Sequence, residues 1–250
     1  MRKSFPILIA AMSAGLALAG SASAATNLVT NGSFESSTFG PGQLGFNTSL
    51  TGWTVAAPGS LPNNSASYDF LFDATTAFTT GSTGQYGTVA LFGPPMTSDP
   101  DGGNFVGVDP AFQNANNGVS QSIGGLIVGH SYQLTFDWAA AQQTGFTGAT
   151  TEGWNVTLGG SAAQSVSTSD PSHSATGWNQ TILYFTADAP TDTLTFLATG
   201  GPTASQPPFA LLDGVSLISV PEPTTWALMI MGFGGVGAMV RSRRRQAVVA

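Results

Sequence analysis

The amino-acid sequence predicts an all-β protein whose central domain is an antiparallel β-sandwich. Apolar and polar residues alternate in several short stretches, as they do in strands that bury one face. Helical periodicity is nearly absent from the centre of the chain, where Gly, Pro, Asn and Asp clusters separate the apolar stretches. No repeat of fixed length is present, which disfavours a propeller or a solenoid. Roughly ten short strands within one domain favour a sandwich.

The N-terminal segment, residues 1–24, has the features of a secretory signal peptide. Arg2 and Lys3 form a positive start, Ile7–Ala19 is apolar, and the Ala-Ser-Ala sequence at residues 22–24 fits a cleavage site. An uncleaved anchor is the alternative, but the apolar stretch is short for a membrane span. We therefore expect export through the Sec pathway and a mature chain that begins near Ala25.

The clearest strand pattern of the domain, residues 25–220, lies between Ser131 and Trp138. Alternate residues there are aromatic or leucine, and the residues between them are polar. The same alternation recurs in Trp154–Leu158, Thr181–Phe185 and Leu194–Ala198. Further candidate strands are Asn27–Phe34, Gly52–Ala56, Tyr68–Phe72, Thr88–Phe92, Asn104–Val108, Gly118–Ile123 and Phe209–Ile218.

Charge is distributed unevenly along the chain. All six Lys and Arg residues lie in the two ends, whereas twelve of the thirteen Asp and Glu residues lie in the domain. Because no side chain of the domain can neutralise a phosphate, we expect no binding to nucleic acid. Its acidic groups must face water, accept main-chain hydrogen bonds or bind a cation such as calcium. The chain has no cysteine, so disulfides do not stabilise it.

Three stretches of the domain carry motifs of one known fold. The beginning, Asn-Leu-Val-Thr-Asn-Gly-Ser-Phe-Glu at residues 27–35 followed by Gly-Trp-Thr at residues 52–54, resembles that of galactose-binding-like jelly rolls, the fold of many carbohydrate-binding modules. The end, Ala-Leu-Leu-Asp-Gly-Val-Ser-Leu at residues 210–217, is similar to their last strand. Gly118–Ile123 and the Tyr-x-Leu-x-Phe pattern at residues 132–136 match their central strand pair. The resemblance implies a jelly roll.

The same resemblance implies a structural Ca²⁺. In such modules a glutamate of the first strand and an aspartate of the last strand hold calcium. The residues of this chain that match them are Glu35 and Asp213. From the residues alone, Asp213 shares strand parity with apolar neighbours, where an unpaired carboxylate is costly. A hydrated Asp213 at the mouth of the strand is the alternative. Asp101 is a candidate additional ligand, although its Asp-Pro-Asp-Gly turn lacks the later ligands of an EF-hand and favours a solvated turn.

Candidate sugar-binding residues combine aromatic rings with nearby amides, which is the chemistry that sugar binding requires. They are Trp154, Asn155, Trp178 and Tyr184. Burial in the core is the alternative for both tryptophans. Catalysis is not expected: neither His130 nor His173 belongs to a nucleophile elbow, a zinc-binding helix motif or a spaced ligand cluster.

The C-terminal segment, residues 221–245, carries a Pro-Glu-Pro triplet, a short apolar stretch and an arginine cluster, and residues 246–250 follow as a tail. Trp226–Val240 is uncharged but short for a membrane span. The arrangement resembles the PEP-CTERM sorting signal, in its PEP-x-x-W-A variant, of exported proteins of Gram-negative bacteria. The residues that carry the resemblance are Pro221, Glu222, Pro223, Trp226, Arg241, Arg243, Arg244 and Arg245.

The sorting resemblance implies a short transmembrane helix that holds the protein transiently in the inner membrane, until an exosortase-type protease processes it. A plain membrane anchor is the alternative. We therefore expect a non-enzymatic protein of the cell surface or the extracellular matrix, associated with exopolysaccharide or biofilm, with polysaccharide as a candidate ligand. A purely structural, glycosylated surface protein and, after it, a secreted glycan-active enzyme are the alternatives.

Overall fold

The computed structural model describes residues 25–55, 67–93, 102–110, 112, 117–202, 206–221, 230–238 and 241. Within these ranges thirteen strands pair antiparallel, which confirms the predicted all-β sandwich. The signal peptide lies outside the described residues. The strands are β1 (Gly42–Gln43), β2 (Thr54–Val55), β3 (Asp69–Asp73), β4 (Ser82–Gly84), β5 (Gly87–Val89), β6 (Asn104–Val108), β7 (Gly118–Gly124), β8 (Ser131–Gln142), β9 (Thr150–Leu158), β10 (Gln164–Asp170), β11 (Asn179–Thr186), β12 (Thr191–Gly201) and β13 (Pro208–Ser219).

Two sheets form the sandwich. The strand order is β1-β3-β6-β13-β8-β11 in the six-stranded sheet and β10-β9-β12-β7-β2 in the five-stranded sheet, while β4 and β5 form a hairpin. The main core between the sheets contains the alternating residues that the sequence singled out. It includes Tyr132, Leu134, Phe136 and Trp138 of β8, Trp154, Val156 and Leu158 of β9, Phe185 of β11, and Leu194, Phe196 and Ala198 of β12.

A second core covers part of the outer face of the six-stranded sheet, opposite the main core. Phe70 and Phe72 of β3 and Phe105 of β6 stack there, with Phe209 of β13 edge-on to Phe72, and the covering residues come from outside the sheet. The covering residues are Ala77, Val89 and Leu91, with Ala74, Phe78, Phe112, Ala175 and Trp178 packed at the margin. The end of β8 is therefore buried on both faces, which explains its run of small residues at 139–141.

A β-bulge in β13 changes which face its residues occupy. The register with β8 shifts between Asp213 and Ser216, and Gly214 between them has a positive φ of 59°. Leu211 packs in the second core, whereas Val215 and Leu217 pack in the main core. The sequence-based parity of Asp213 with Val215 and Leu217 is therefore wrong. Asp213 shares the outer face with Leu211 by ordinary alternation, and the residue that the bulge inserts after it moves Val215 and Leu217 to the main core.

The segment predicted as a strand at residues 27–34 is irregular in the structure. Asn31 and Phe34 have positive φ angles of 53° and 57°, which a strand does not allow. The segment nevertheless follows β13, since the Leu28 amide donates to the Leu217 carbonyl at 2.9 Å. The Val215 amide likewise donates to the Gly32 carbonyl at 3.0 Å. The two ends of the domain are thus joined through main-chain hydrogen bonds.

The sheet ends where the C-terminal segment begins. The Val220 amide donates to the Ser131 carbonyl at 2.9 Å, and Pro221 beyond it is exposed. Residues 230–238 form a helix, α1, whose side chains are exposed. The predicted membrane span is not confirmed, because no helix in the described part of the chain is both long enough and apolar enough to cross a membrane. Both hydrophobic cores lie between Val29 and Leu217, so the sandwich contains its own core.

Candidate functional site

Part of the outer face of the six-stranded sheet is open to solvent, next to the part that the second core covers. On β8 the residues between the main-core positions point to this face, and on β11 the even-numbered residues do so. Cross-strand register places Tyr184 opposite Gln133, Ile182 opposite Thr135 and Gln180 opposite Asp137. We call these six residues the β8–β11 platform.

Tyr184 is the exposed aromatic residue of the platform. Its side chain is 58% exposed, and its hydroxyl donates a hydrogen bond to Gln133 Oε1 at 3.3 Å. Gln133 Nε2 in turn donates to Thr135 Oγ1 at 3.4 Å. A ring, an amide and a hydroxyl are therefore linked in one row on an open face.

Trp178 lies just before β11, in line with the outward-pointing row of Gln180, Ile182 and Tyr184. It is half-buried, and its ring packs edge-on against Phe105 with 5.6 Å between ring centroids. Its Nε1 is buried and has no hydrogen-bond acceptor among the described residues. Trp178 thus marks the border between the second core and the open platform.

The structure contradicts a ligand-binding role for Trp154. Its side chain is fully buried in the main core, edge-on to Phe196 at 6.0 Å, and its Nε1 donates to the Leu211 carbonyl at 3.1 Å. Both the ring and its polar atom are engaged inside the protein, so the alternative of a core residue holds. The reason is strand parity, because Trp154 shares a face with Val156 and Leu158.

Asn155 lies on the opposite side of the molecule from Tyr184. It belongs to the outer face of the five-stranded sheet, where its Oδ1 accepts a hydrogen bond from Ser165 Oγ at 3.3 Å. The structure therefore brings Tyr184 and Trp178 to one face, and Asn155 is not part of that site. The sequence analysis did not select Gln133 and Gln180 as partners of Tyr184, because only the register of β8 with β11 brings them together.

Glu35 and Asp213, the candidate calcium ligands, both lie near the start of β6. The carboxylate of Glu35 accepts from the Asn104 amide at 2.6 Å and from Asn104 Nδ2 at 3.0 Å. Asp213 is fully buried and follows Leu212, which pairs with Val106 of β6. Asp101 lies outside the described residues. Within the described ranges, no three His, Asp or Glu side chains are grouped closely enough to hold a metal together.

Several further carboxyl groups are buried, and three of them, Glu152, Asp69 and Asp170, lie between the sheets. Desolvation raises the pKa of Glu152 to about 8, of Asp69 to about 7 and of Asp170 to about 6. The charge of Asp109 contributes to raising the pKa of both Glu152 and Asp69, and the domain has no Lys or Arg to oppose it. The sequence analysis did not select these groups. Glu152 could have been found by parity, because it continues the buried row of Trp154 and Val156.

Solved structures to which the chain is similar include carbohydrate-binding modules. A CBM61 module in complex with β-1,4-galactotriose matches at 15% identity, 78% coverage of this chain, 100% of that chain and a TM-score of 0.41. A CBM4 domain matches at 13% identity, with 76% of this chain and 99% of that chain covered and a TM-score of 0.36. An arabinose-bound α-L-arabinofuranosidase matches at 15% identity, with 77% of this chain and 26% of that chain covered and a TM-score of 0.38. A likeness at this level does not establish a ligand or a reaction.

No curated protein matches the chain in sequence. Residues 219–245 match the PEP-CTERM protein-sorting motif. The match begins at the last residue of β13, where the chain leaves the sheet. It confirms the sorting signal that the sequence predicted, and it implies export and handling by an exosortase.

Proposed function

We propose that this protein is an exported, non-catalytic protein of the cell surface or extracellular matrix whose sandwich binds a neutral polysaccharide through the β8–β11 platform. The observation that carries the proposal is the exposed Tyr184 ring, which is linked to the Gln133 amide on an open sheet face. Sugars are bound by aromatic faces that supply apolar contact and by amides and hydroxyls that fix orientation.

The dimensions of the platform suit a chain of sugars rather than a single ring. Gln180 and Tyr184 stand four residues apart on β11, which corresponds to about 14 Å at roughly 3.4 Å per residue. Ile182 lies between them and is also exposed, so apolar contact continues along the row. A linear glycan that lies along β11 would meet both polar and apolar groups.

The charge of the domain favours neutral glycans over polyanionic ones. Residues 25–220 carry twelve acidic residues and no Lys or Arg. The resulting negative field repels uronate-rich polymers at low ionic strength. We therefore expect binding to neutral polysaccharides that does not depend strongly on salt.

Binding can be measured with the sandwich, residues 25–220, by affinity electrophoresis in a panel of neutral and acidic polysaccharides. We expect at least one neutral polysaccharide to bind, and Tyr184→Ala to weaken that binding roughly tenfold, which corresponds to an aromatic contact of about 1.4 kcal/mol. Tyr86→Ala is a matched control, because Tyr86 is also 58% exposed but lies in the β4–β5 turn.

Equal loss of binding in both tyrosine variants, or no loss in either, would contradict the platform as the binding site. If no polysaccharide of the panel binds, the result would favour the alternative of a purely structural surface protein. Turnover of a glycan that disappears in Asp137→Asn would show that the domain is an enzyme, because Asp137 is the carboxylate of the platform.

We further propose cleavage by an exosortase-type protease close to Pro221, Glu222 and Pro223. The exposure of Pro221, directly after the last ladder hydrogen bond at Val220, supports a cut between a finished domain and its transient inner-membrane tether. Mass spectrometry of the exported protein tests this. A C-terminus near the triplet is expected, and recovery of the intact segment from Trp226 to Arg245 would show a plain anchor instead.

We also propose a structural Ca²⁺ near Glu35 and Asp213. Calcium takes oxygen ligands, and the two carboxylates lie at the same end of β6, with Glu35 held in place by Asn104. Main-chain and water oxygens would complete the ligand set. Calcium at about one hundred times its Kd would stabilise the fold by roughly 2.7 kcal/mol, which raises Tm by about 5–10 °C.

The calcium test is a thermal melt of the sandwich with Ca²⁺ and with a chelator, compared between wild type and Asp213→Asn. A Tm rise that Asp213→Asn loses supports the site. Glu152→Gln is the control, because Glu152 is buried between the sheets and does not share the outer face of Asp213. An equal rise in wild type and Asp213→Asn, or none in wild type, would argue against calcium at this site.

A further inference from the structure

Strand β11 forms one edge of the six-stranded sheet. It pairs with β8 on one side, and none of the described strands pairs with it on the other. Its eight residues, Asn179–Thr186, contain neither a charged residue nor proline. The opposite edge, β1, and the β2 edge of the other sheet are only two residues long, and the seven-residue β10 edge ends in the acidic Asp170. Natural proteins usually protect a long edge strand with lysine, proline or a bulge, and β11 has none of these.

The outward-pointing main-chain groups of β11 can be assigned from two hydrogen bonds. The Ala187 amide donates to the His130 carbonyl, so odd-numbered residues bond towards the β8 side. The Tyr184 carbonyl accepts from the Gln164 side chain at 2.7 Å, so even-numbered residues point away from β8. The N–H and C=O groups of Gln180, Ile182 and Thr186 therefore face outward.

Two large side chains on this edge, those of Ile182 and Tyr184, are exposed. Ile182 is 49% exposed and Tyr184 is 58% exposed, and both point to the outer face of the sheet. Isoleucine and tyrosine favour strands, and cross-strand pairs of aromatic with β-branched residues stabilise antiparallel sheets. The edge thus offers main-chain groups for pairing together with side chains that gain contacts from it.

We propose that β11 pairs with β11 of a second copy of this chain, antiparallel about a two-fold axis at Leu183. This register places Ile182 of each copy opposite Tyr184 of the other, and Gln180 opposite Thr186. It places outward-facing main-chain groups opposite outward-facing ones, so hydrogen bonds form across the whole strand. The two six-stranded sheets become one continuous sheet, and the two platforms lie side by side on the same face.

A second copy fits this edge better than an unrelated chain, because a strand that pairs with itself about a two-fold axis is self-complementary. No like charges meet within the paired strands, since β11 has no charged residue. The Gln164 side chain, which occupies the Tyr184 carbonyl in the single copy, is replaced there by a main-chain donor. The contact follows from the edge alone and does not depend on glycan binding.

The expected association is weak and increases with salt. One strand pair with its side chains buries less than the roughly 1,200 Å² of a standard stable interface. Each domain carries twelve acidic residues and no Lys or Arg, so two copies repel each other at long range. Salt screens this repulsion, and at 1 M the Debye length, over which charges still act on each other, is only about 3 Å. Pairing is therefore favoured where copies are concentrated, as on a membrane or in a matrix.

Sedimentation velocity of the sandwich without glycan, from micromolar to millimolar concentration and at low and high salt, tests the proposal. We expect the mass to rise towards a dimer with concentration, more strongly at high salt, and Ile182→Lys to remain monomeric. Ile127→Lys is the matched control, because Ile127 is 55% exposed but lies in the loop after β7, and it should associate as the wild type does.

The register can be tested by cysteine cross-linking, since the natural chain has no cysteine. A mixture of Gln180→Cys and Thr186→Cys should form a disulfide-linked dimer under mild oxidation, whereas each variant alone should not. A wild type that stays monomeric throughout, association that survives Ile182→Lys, or equal cross-linking of Gln180→Cys with itself would overturn the proposal. If glycan binds while these tests fail, only the pairing is wrong.

Discussion

Replacement of Glu152 by glutamine is expected to stabilise the sandwich at mildly alkaline pH relative to the wild type. Glu152 is fully buried, and desolvation raises its pKa from 4.5 to about 8; the Thr150 hydroxyl opposes this effect, while the charges of Asp170 and Asp109 add to it. The folded protein therefore keeps this proton up to about pH 8, whereas the unfolded chain loses it near pH 4.5. The stabilisation from the proton is full below pH 4.5 and is lost as the pH rises through the folded pKa.

The magnitude follows from the two pKa values. They differ by about 3.5 pH units, and each unit corresponds to about 1.4 kcal/mol, so charging Glu152 in the folded state costs roughly 5 kcal/mol. That is comparable to the whole free energy of unfolding of a marginally stable domain. Glutamine has a similar shape and cannot ionise. The difference in stability between the variant and the wild type should therefore grow by about 1.4 kcal/mol per pH unit from about pH 5 to about pH 8.

Urea unfolding of both proteins across this pH range measures that difference directly. Asp69→Asn is a second variant with a distinct expectation, because burial raises the pKa of Asp69 only to about 7. Its stability difference from the wild type should stop growing about one pH unit earlier. A difference that stays constant with pH for Glu152→Gln would refute the reasoning, since it would mean that Glu152 titrates alike in the folded and unfolded states.

The remaining predictions concern stability at fixed pH and are checked by urea unfolding. Trp154→Phe should cost about 1–3 kcal/mol because it removes a buried hydrogen bond to the Leu211 carbonyl and leaves a gap in the main core, whereas Trp178→Phe should cost less than about 1 kcal/mol because Trp178 Nε1 has no acceptor among the described residues. Equal costs would contradict this assignment. Gly32→Ala should cost about 1–3 kcal/mol because the added Cβ would lie 2.0 Å from the Val215 carbonyl oxygen. An unchanged urea midpoint would show that the segment beside β13 can shift to make room for the Cβ.

The parts of the fold that could be predicted from the sequence are those set by local alternation. Tyr132, Leu134 and Phe136 face the main core, as the period of two requires. Strand pairing and the second core depend on contacts between distant segments, and alternation carries no information on them. The bulge at Gly214 shows the same limit within a single strand, because one extra residue puts Val215 and Leu217 on the opposite face from Asp213.

The candidate site could be predicted only in part, for a related reason. Trp154 and Tyr184 were both candidates from sequence, with burial in the core as the alternative for Trp154, because both stand in alternating strands beside polar residues. Parity separates them in the structure, since Trp154 faces the main core and Tyr184 faces the open part of the sheet. That the outer face is covered near Phe209 and open near Tyr184 depends on where residues 74–91 pack, which no local pattern encodes.

The distribution of charge allows the two proposals for β11 to be separated. On the platform Asp137 is the one carboxylate, whereas Glu152, Asp69 and Asp170 are buried between the sheets. A neutral glycan bound at Tyr184 has no charge for the field of the domain to act on, so its affinity should change little with salt. Two copies that pair along β11 bring two acidic domains together, so their association must strengthen as salt screens the repulsion. Opposite outcomes, with salt-dependent glycan binding and salt-independent pairing, would mean that neither surface carries the interaction assigned to it.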